Sequence, residues 1–453
     1  MQTGASRAFA RLREGLSLAS VLLLQRSMAS ALQRPGVVRP PASSSEPTPN
    51  ALERAIGRQL LRRIGDPFGA LVLPNGHEVR LCESGPASFR MSVSEWSALL
   101  ALLGPTAELH FGDAFANGAI RIEGDLVAFL ERTFRTMPIG GLMRRFDRLR
   151  RRVARRPNSL RLARDNVHRH YDLGNDFYAL WLDREMVYTC AYFPDPDVSL
   201  ETAQRAKMDL VARKLRLRPE ERVVELGSGW GALAIHLARR HGVRVRAFNI
   251  SEEQLAFARD RARREGLASR VEFIADDYRN ATGSADALVS VGMLEHVGPE
   301  SYGALAEAID RLVAPDGRGL LHFIGRNRPY PFNEWIERRI FPGAHAPSLR
   351  ESLAVLEPSD FSVLDVENLR LHYARTLEHW LLRFEAHRDE VVRRFDERFV
   401  RMWRLYLAGS IASFRTGSLQ LFQVVFARGR SNHVPWTRAH LFAPDVEISH
   451  GAL

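Results

Sequence analysis

Cysteine is almost missing from this chain: Cys82 and Cys190 are the only two in 453 residues. Two thiols cannot staple a chain of that length, which excludes a disulfide-built secreted scaffold and favours a reducing compartment. Lysine is as scarce, because Lys207 and Lys214 are the only lysines among 64 basic side chains. Long apolar runs are missing as well. The nearest, Leu16 to Leu24, falls short of the ~20 residues needed to cross a bilayer. Gln25-Arg26 follows it in place of a small-residue cleavage site, so residues 1–51 are expected to form a flexible tail rather than a targeting peptide. No C-x-x-C pair, no H-E-x-x-H helix and no P-loop lysine is present. Metal chemistry and ATP or GTP binding are therefore not expected.

What is there is an ordinary folding composition, 45% hydrophobic and 26% charged, which excludes a wholly disordered or fibrous chain. The net charge of +11 and the isoelectric point near 10.2 favour an anionic partner. After a Pro/Ser linker, residues 52–140 read as a small α+β domain. Strand-like pieces fall at Ala70 to Val72, Glu78 to Leu81, Ala107 to Phe111 and Ala119 to Ile122, with helices over Ser92 to Leu103 and Asp125 to Thr133. Residues 141–165 lie in a basic linker. From Met143 to Arg169 there are eleven arginines against Asp147 and Asp165. Two readings stay open for this run: a solvated helical connection, or contact with anionic headgroups worth ~1 kcal/mol per basic residue. No aromatic interleaving supports nucleic acid.

From 166 to 432, apolar strands alternate with helical stretches, which predicts an α/β fold with a Rossmann-like, doubly wound sheet. Residues 433–453 read as a C-terminal tail. Glu225-Leu226-Gly227-Ser228-Gly229-Trp230-Gly231 ends the first strand and opens its helix. Glycines at alternate positions let a backbone turn sharply and approach a ligand closely, although a tight turn alone also uses them. The spacing departs from the dinucleotide G-x-G-x-x-G, which speaks against NAD.

The form E-x-G-x-G-x-G resembles the first motif of S-adenosylmethionine-dependent methyltransferases. At the end of the second strand that family usually carries an acid, whereas this chain has Asn249-Ile250-Ser251-Glu252-Glu253-Gln254. Further segments narrow the resemblance. His170-Tyr171-Asp172-Leu173-Gly174-Asn175-Asp176-Phe177-Tyr178 and Tyr188-Thr189-Cys190-Ala191-Tyr192-Phe193 are similar to motifs of the cyclopropane-fatty-acyl-phospholipid synthases and the mycolic acid cyclopropane synthases. So are Asp277-Tyr278-Arg279, Glu295-His296-Val297-Gly298, His322-Phe323-Ile324-Gly325 and Ile340-Phe341-Pro342-Gly343. Phe111-Gly112-Asp113-Ala114-Phe115 in the first unit is similar to the N-terminal domain of the phospholipid-acting members. That points to acyl chains of membrane phospholipid as substrate.

The resemblance implies a reaction and a site. A methylene group goes from S-adenosylmethionine to a cis double bond, through a carbocation that loses a proton to bound bicarbonate. The anion-holding residues map to Cys190, Glu295, His322, Ile324 through its backbone, and Tyr373. On the cofactor side, Gly227, Gly229 and Gly231 face the amino-acid portion, while Asn249, Ser251 and Gln254 face the ribose. Asp277 and Tyr278 face the adenine, Val291 packs beneath it, and Tyr188 and Thr189 close over the methionine end. Tyr171, Phe177, Tyr188 and Tyr192 are candidates for aromatic faces toward the cation, with a plain core role as the alternative for most. A metal is not implied. A methyl- or methylene-branched product, and a non-catalytic lipid-binding module, are the competing readings. A cytoplasmic protein at an anionic membrane surface is expected, with a homodimer as one option for assembly.

Overall fold

The computed structural model describes residues 48–65, 68–82, 85–104, 106–136 and 173–442. The N-terminal tail, the arginine run, Tyr171 and residues 443–453 lie outside the described residues.

The first unit opens with the helix Ala51–Ile64, closed by a reciprocal cap in which Asn50 and Glu53 each accept from the other's amide. Glu53 Oε2 also meets His77 Nδ1 at 2.7 Å. This pins the helix to the turn between β1 (Ala70–Val72) and β2 (Glu78–Arg80). β3 (Arg90–Val93) runs parallel to β1, and β4 (Ile120–Glu123) runs antiparallel to β3, in the order β2-β1-β3-β4.

Two expectations are corrected here. Ala107 to Phe111 is not a strand but the first half of the helix Ala107–Asn117. Its five residues alternate apolar and polar, which mimics a strand; the next six restore the helical period, with Gly112, Phe115 and Ala116 buried. The helix expected from Ser92 starts only at Trp96, because Ser92 and Val93 are drawn into β3 between β1 and β4.

The second sheet contains β5 (Arg222–Leu226), β6 (Arg244–Asn249), β7 (Val271–Ala275), β8 (Ala285–Val291), β9 (Val313–Gly325), β10 (Phe361–Asn368) and β11 (Gln420–Arg428). Its order is β10-β11-β9-β8-β5-β6-β7. The strands from β7 to β9 are parallel, and β11 runs antiparallel to both β9 and β10. The expected doubly wound α/β sheet is therefore present. Successive residues of β5 serve different layers: Val223 packs with Leu233, Leu237 and Leu255, and Val224 with Leu305 and Ile309. The chain leaves β5 toward β6 and β7, then returns to the other side for β8 and β9. The crevice beyond the carboxyl ends of β5 and β8 is thus the switch point where such sheets bind ligands.

The two sheets belong to one compact unit, Thr48–Leu453. A single apolar core runs from Ile56 and Leu61 through Phe129 to Trp403 and Leu421. Polar contacts ring it: Asp113 takes Arg339 in a fork at 2.9 and 2.7 Å, Glu131 takes Arg415 at 2.9 Å, and Asn117 takes Arg398 at 2.8 Å. At its centre the Trp335 ring lies on Gly112, where an added Cβ would stand 2.3 Å from a ring carbon. Gly112→Val is accordingly expected to cost ~1–3 kcal/mol through overpacking. Calorimetry reads this as a lowered Tm; an unchanged Tm would show that Trp335 can move aside without cost.

Candidate active site

The glycine turn sits at the switch point, and its three glycines have different reasons for being glycine. Gly231 has φ +81°, and a Cβ there would meet the Phe273 ring at 2.6 Å and Ala258 at 2.8 Å. It lets the helix Ala232–His241 pack against its neighbours. Gly229 has φ +53° with nothing within 4 Å of an added Cβ. Its bare side faces open space, where a ligand can approach the backbone. Gly227 has φ +85°, and a Cβ there would stand 3.1 Å from Met293 Cβ, while its amide donates to Phe248 O at 2.9 Å.

Next to this turn the expected ribose set forms one network. Asn249 Nδ2 donates to Gly229 O at 3.1 Å and to Gln254 Oε1 at 2.9 Å. Asn249 Oδ1 accepts from the amides of Ile250 and Ser251, and Ser251 caps the helix Glu252–Arg264. Asn249 thus holds the turn from behind. The Asp277 carboxylate accepts from Arg279 at 2.7 and 2.9 Å. Tyr278 follows it under the Arg279 guanidinium, its phenol pushed up to about 12 by burial. Val291 is buried at the end of β8.

Thr189 closes this region from the N-terminal side. A Cβ on Gly292, just past β8, would stand 2.9 Å from Thr189 Cγ2. Gln204 Nε2 holds the Thr189 carbonyl at 2.9 Å, and Lys207 Nζ holds its hydroxyl at 3.0 Å. The Tyr188 hydroxyl meets that of Tyr406 at 2.8 Å.

The expected anion-holding residues gather in two groups. Glu295, on the short helix Leu294–Val297, accepts from the Ile324 amide through Oε1 at 2.5 Å. Its Oε2 is buried without a partner among the described residues, and burial pushes its carboxyl up to about 7. His322, on β9, takes Gln423 Nε2 on Nδ1 at 2.9 Å. With the Gln423 amide in this orientation the imidazole proton lies on Nε2, which is buried and has no partner among the described residues. Burial, with the charges of Lys207 and Lys214, holds this imidazole well below its ordinary pKa, so the ring is neutral. In the second group, Cys190 Sγ faces Leu369 O at 4.0 Å, and the Tyr373 amide donates to that same carbonyl at 3.2 Å. Burial pushes the Cys190 thiol up, which keeps it a thiol.

Of the aromatic set, Phe177 is core: Phe395, Phe399, Trp403 and Trp181 surround it edge-on. Tyr192 stacks on His372 at 4.8 Å. Tyr188 lies among Tyr178, Trp181 and Trp380.

Three polar residues were not anticipated as part of this region. Lys207 and Gln204 come from the helix Leu200–Leu215, and Gln423 from β11. The scarcity of lysine was the one sequence signal pointing to Lys207. Gln423 and Gln204 carry none, because their role depends on neighbours remote in the chain. Among the described residues, the one cluster with metal-ligand spacing is Asp209, His236 and His241. It lies outside these groups, and Asp209 is already bonded to His236 at 2.6 Å.

Sheet order, with the glycine turn at its switch point, gives the fold of a methyltransferase. The Mycolic acid cyclopropane synthetase family model matches residues 158–424. The chain belongs to that family, and it is an S-adenosylmethionine-dependent methyltransferase of the cyclopropane-fatty-acyl-phospholipid synthase type. It is 42% identical to the cyclopropane-fatty-acyl-phospholipid synthase of Escherichia coli K12 over 264 residues, 58% of this chain and 68% of that one. It is 35% identical to a probable fatty acid methyltransferase of Pseudomonas putida over 373 residues, 77% of this chain and 90% of that one. The cyclopropane synthase MmaA2 of Mycobacterium tuberculosis superposes with a TM-score of 0.56 at 28% identity, covering 58% of this chain and 98% of MmaA2.

Proposed function

We propose that this enzyme converts the cis double bond of phospholipid acyl chains into a cyclopropane ring, with bicarbonate as the proton acceptor. One observation carries the bicarbonate half of this reading. Glu295 Oε2 and His322 Nε2 are an acceptor and a donor, both buried and both without partners among the described residues. Buried polar atoms are rarely left so, and a small anion with its own hydroxyl suits one acceptor, one donor and the Ile324 segment.

The open side of Gly229 and the network around Asn249 suit S-adenosylmethionine, with Thr189 closing over it. When bound, this cofactor supplies an electrophilic methyl group. The protein's part is to hold the alkene beside it, exclude water and take a proton away. Tyr188 and its neighbouring rings give the developing cation π faces rather than water. His322 Nε2–H and Glu295 Oε2 fix the anion that receives the proton. Neutral His322, held well below its ordinary pKa, and un-ionised Cys190 do not compete for that proton.

The name of the Pseudomonas relative favours a second reading, a methyl-branched chain from the same cation. Mass spectrometry of membrane fatty acids after expression separates the two. A gain of CH2 with loss of the alkene and a ring fragmentation pattern is expected; a branched saturated chain would overturn the cyclopropane reading.

No helix among the described residues is long and apolar enough to cross a membrane. We assign the arginine run to anionic headgroups, with exposed Leu371 and Leu382 on one face of the helix Arg370–Ala386 as apolar contacts. Binding to anionic vesicles should then weaken as salt rises toward ~1 M, where screening reaches ~3 Å. Equal sedimentation with neutral and anionic vesicles at low salt would overturn this assignment.

A further inference from the structure

The anion pocket of the proposed function has no cation of its own. Cys190 stays a thiol, His322 is held neutral, Ile324 brings only backbone with its amide already given to Glu295, and Glu295 is an acid. An anion taken into a buried pocket without a positive charge nearby is strongly disfavoured. Arg326, two residues beyond Ile324, directs its guanidinium to the carbonyls of Tyr330 and Pro331 and over the Tyr330 and Phe332 rings.

The two lysines are different. In a chain whose other basic side chains are all arginine, both are buried, Lys207 at 2% and Lys214 at 3% exposure. A compact ammonium fits such places where a guanidinium fork does not. Lys214 is already neutralised by Glu367 at 2.6 Å, with Asp365 at 3.7 Å. Lys207 has no carboxylate within ion-pair distance among the described residues, and its one hydrogen bond there goes to Thr189 Oγ1. The charged and titratable groups acting on it are Cys190, Asp183 and Glu225, and it acts in turn on His322. Asp209, two residues along the same helix, is committed to His236.

We infer that Lys207 is a positioning residue that supplies the countercharge for the bound anion from behind the Thr189–Cys190 segment. This rests on the bicarbonate reading above. The ammonium does not touch the reacting atoms; it sets the potential in which Cys190 and His322 hold the anion, and it fixes Thr189. Burial lowers its pKa to about 8, so the countercharge is present below that pH and fades above it. Burial pushes Glu295 and Glu225 up to about 7 and Asp183 up to about 6, His322 titrates well below its ordinary range and Cys190 far above, which leaves the limb above pH 8 to Lys207.

The test measures radiolabelled bicarbonate binding to the full chain by equilibrium dialysis in sealed cells, with S-adenosylmethionine affinity read separately by calorimetry. Lys207→Met should raise the bicarbonate Kd at least tenfold while S-adenosylmethionine affinity changes less than threefold. For the unmodified protein, the bicarbonate Kd should rise as pH passes through about 8; in Lys207→Met the rise above pH 8 should vanish. Equal Kd values for the two proteins would overturn the inference and leave the bicarbonate reading standing. Absence of bicarbonate binding by the unmodified protein would overturn both. If Lys207→Met does not fold, the pH series on the unmodified protein decides: a Kd flat through pH 9 overturns the inference.

Discussion

Glu295→Gln should lose ~10²-fold or more in kcat, the scale seen when one preorganised polar contact to a developing charge is removed. The amide can still accept from Ile324, so the segment keeps its shape. What is lost is the anionic acceptor at Oε2, which has no other partner among the described residues. S-adenosylmethionine affinity should stay within threefold. Turnover near that of the unmodified protein would remove Glu295 from the mechanism. The same substitution should act oppositely on stability. Burial raises this carboxyl from 4.5 to about 7. The folded state therefore binds the proton more tightly than the unfolded chain does. Its contribution is fully present below about pH 4.5 and is lost as pH rises through about 7, at up to ~1.4 kcal/mol per pH unit. Without added bicarbonate, the Tm of Glu295→Gln should gain on that of the unmodified protein across this window. Parallel Tm curves would show that the carboxylate is compensated in the folded protein.

Gly229→Ala should produce a folded protein that no longer binds its cofactor. Nothing stands within 4 Å of the new Cβ, and the cost of φ +53° for alanine is only ~1 kcal/mol. The methyl group occupies the one side of the turn left bare toward the crevice. Calorimetry should show S-adenosylmethionine affinity down by ~10²-fold with Tm nearly unchanged. Gly231→Ala is the contrast, since its Cβ runs into Phe273 and Ala258 and should lower Tm directly. Normal affinity in Gly229→Ala would move the cofactor away from this turn.

The catalytic sheet was legible because each strand is a short apolar run bounded by polar turns, and because the glycine turn follows the first of them. Even the edge pair can be read this way from the sequence, as Phe361 to Asn368 and Leu419 to Ala427, against β10 at Phe361–Asn368 and β11 at Gln420–Arg428. The first unit was harder. Five alternating residues, 107–111, look like a strand until the next turn of helix is counted. Ser92 and Val93 are claimed by neighbours in β3 that no local pattern reveals. At the candidate site, the motifs single out Glu295 and Ile324, which the structure joins by one hydrogen bond. Lys207 and Gln423 show the limit: they reach Thr189 and His322 across 18 and 101 positions of chain.

The docking of Trp335 on Gly112 has a consequence for modular exchange. The helix Glu334–Arg339 is gripped by the first unit through Trp335 and Arg339. Six residues past Arg339, the His345 amide donates to the Glu295 carbonyl at 2.8 Å. Six residues span at most ~20 Å even when fully extended. The wall that carries the key carboxylate is therefore tethered to the small sheet by a short strap. A chimera that imports another enzyme's N-terminal unit has to bring a glycine and an aspartate matched to Trp335 and Arg339. One that keeps only the overall shape would assemble and still set Glu295 adrift.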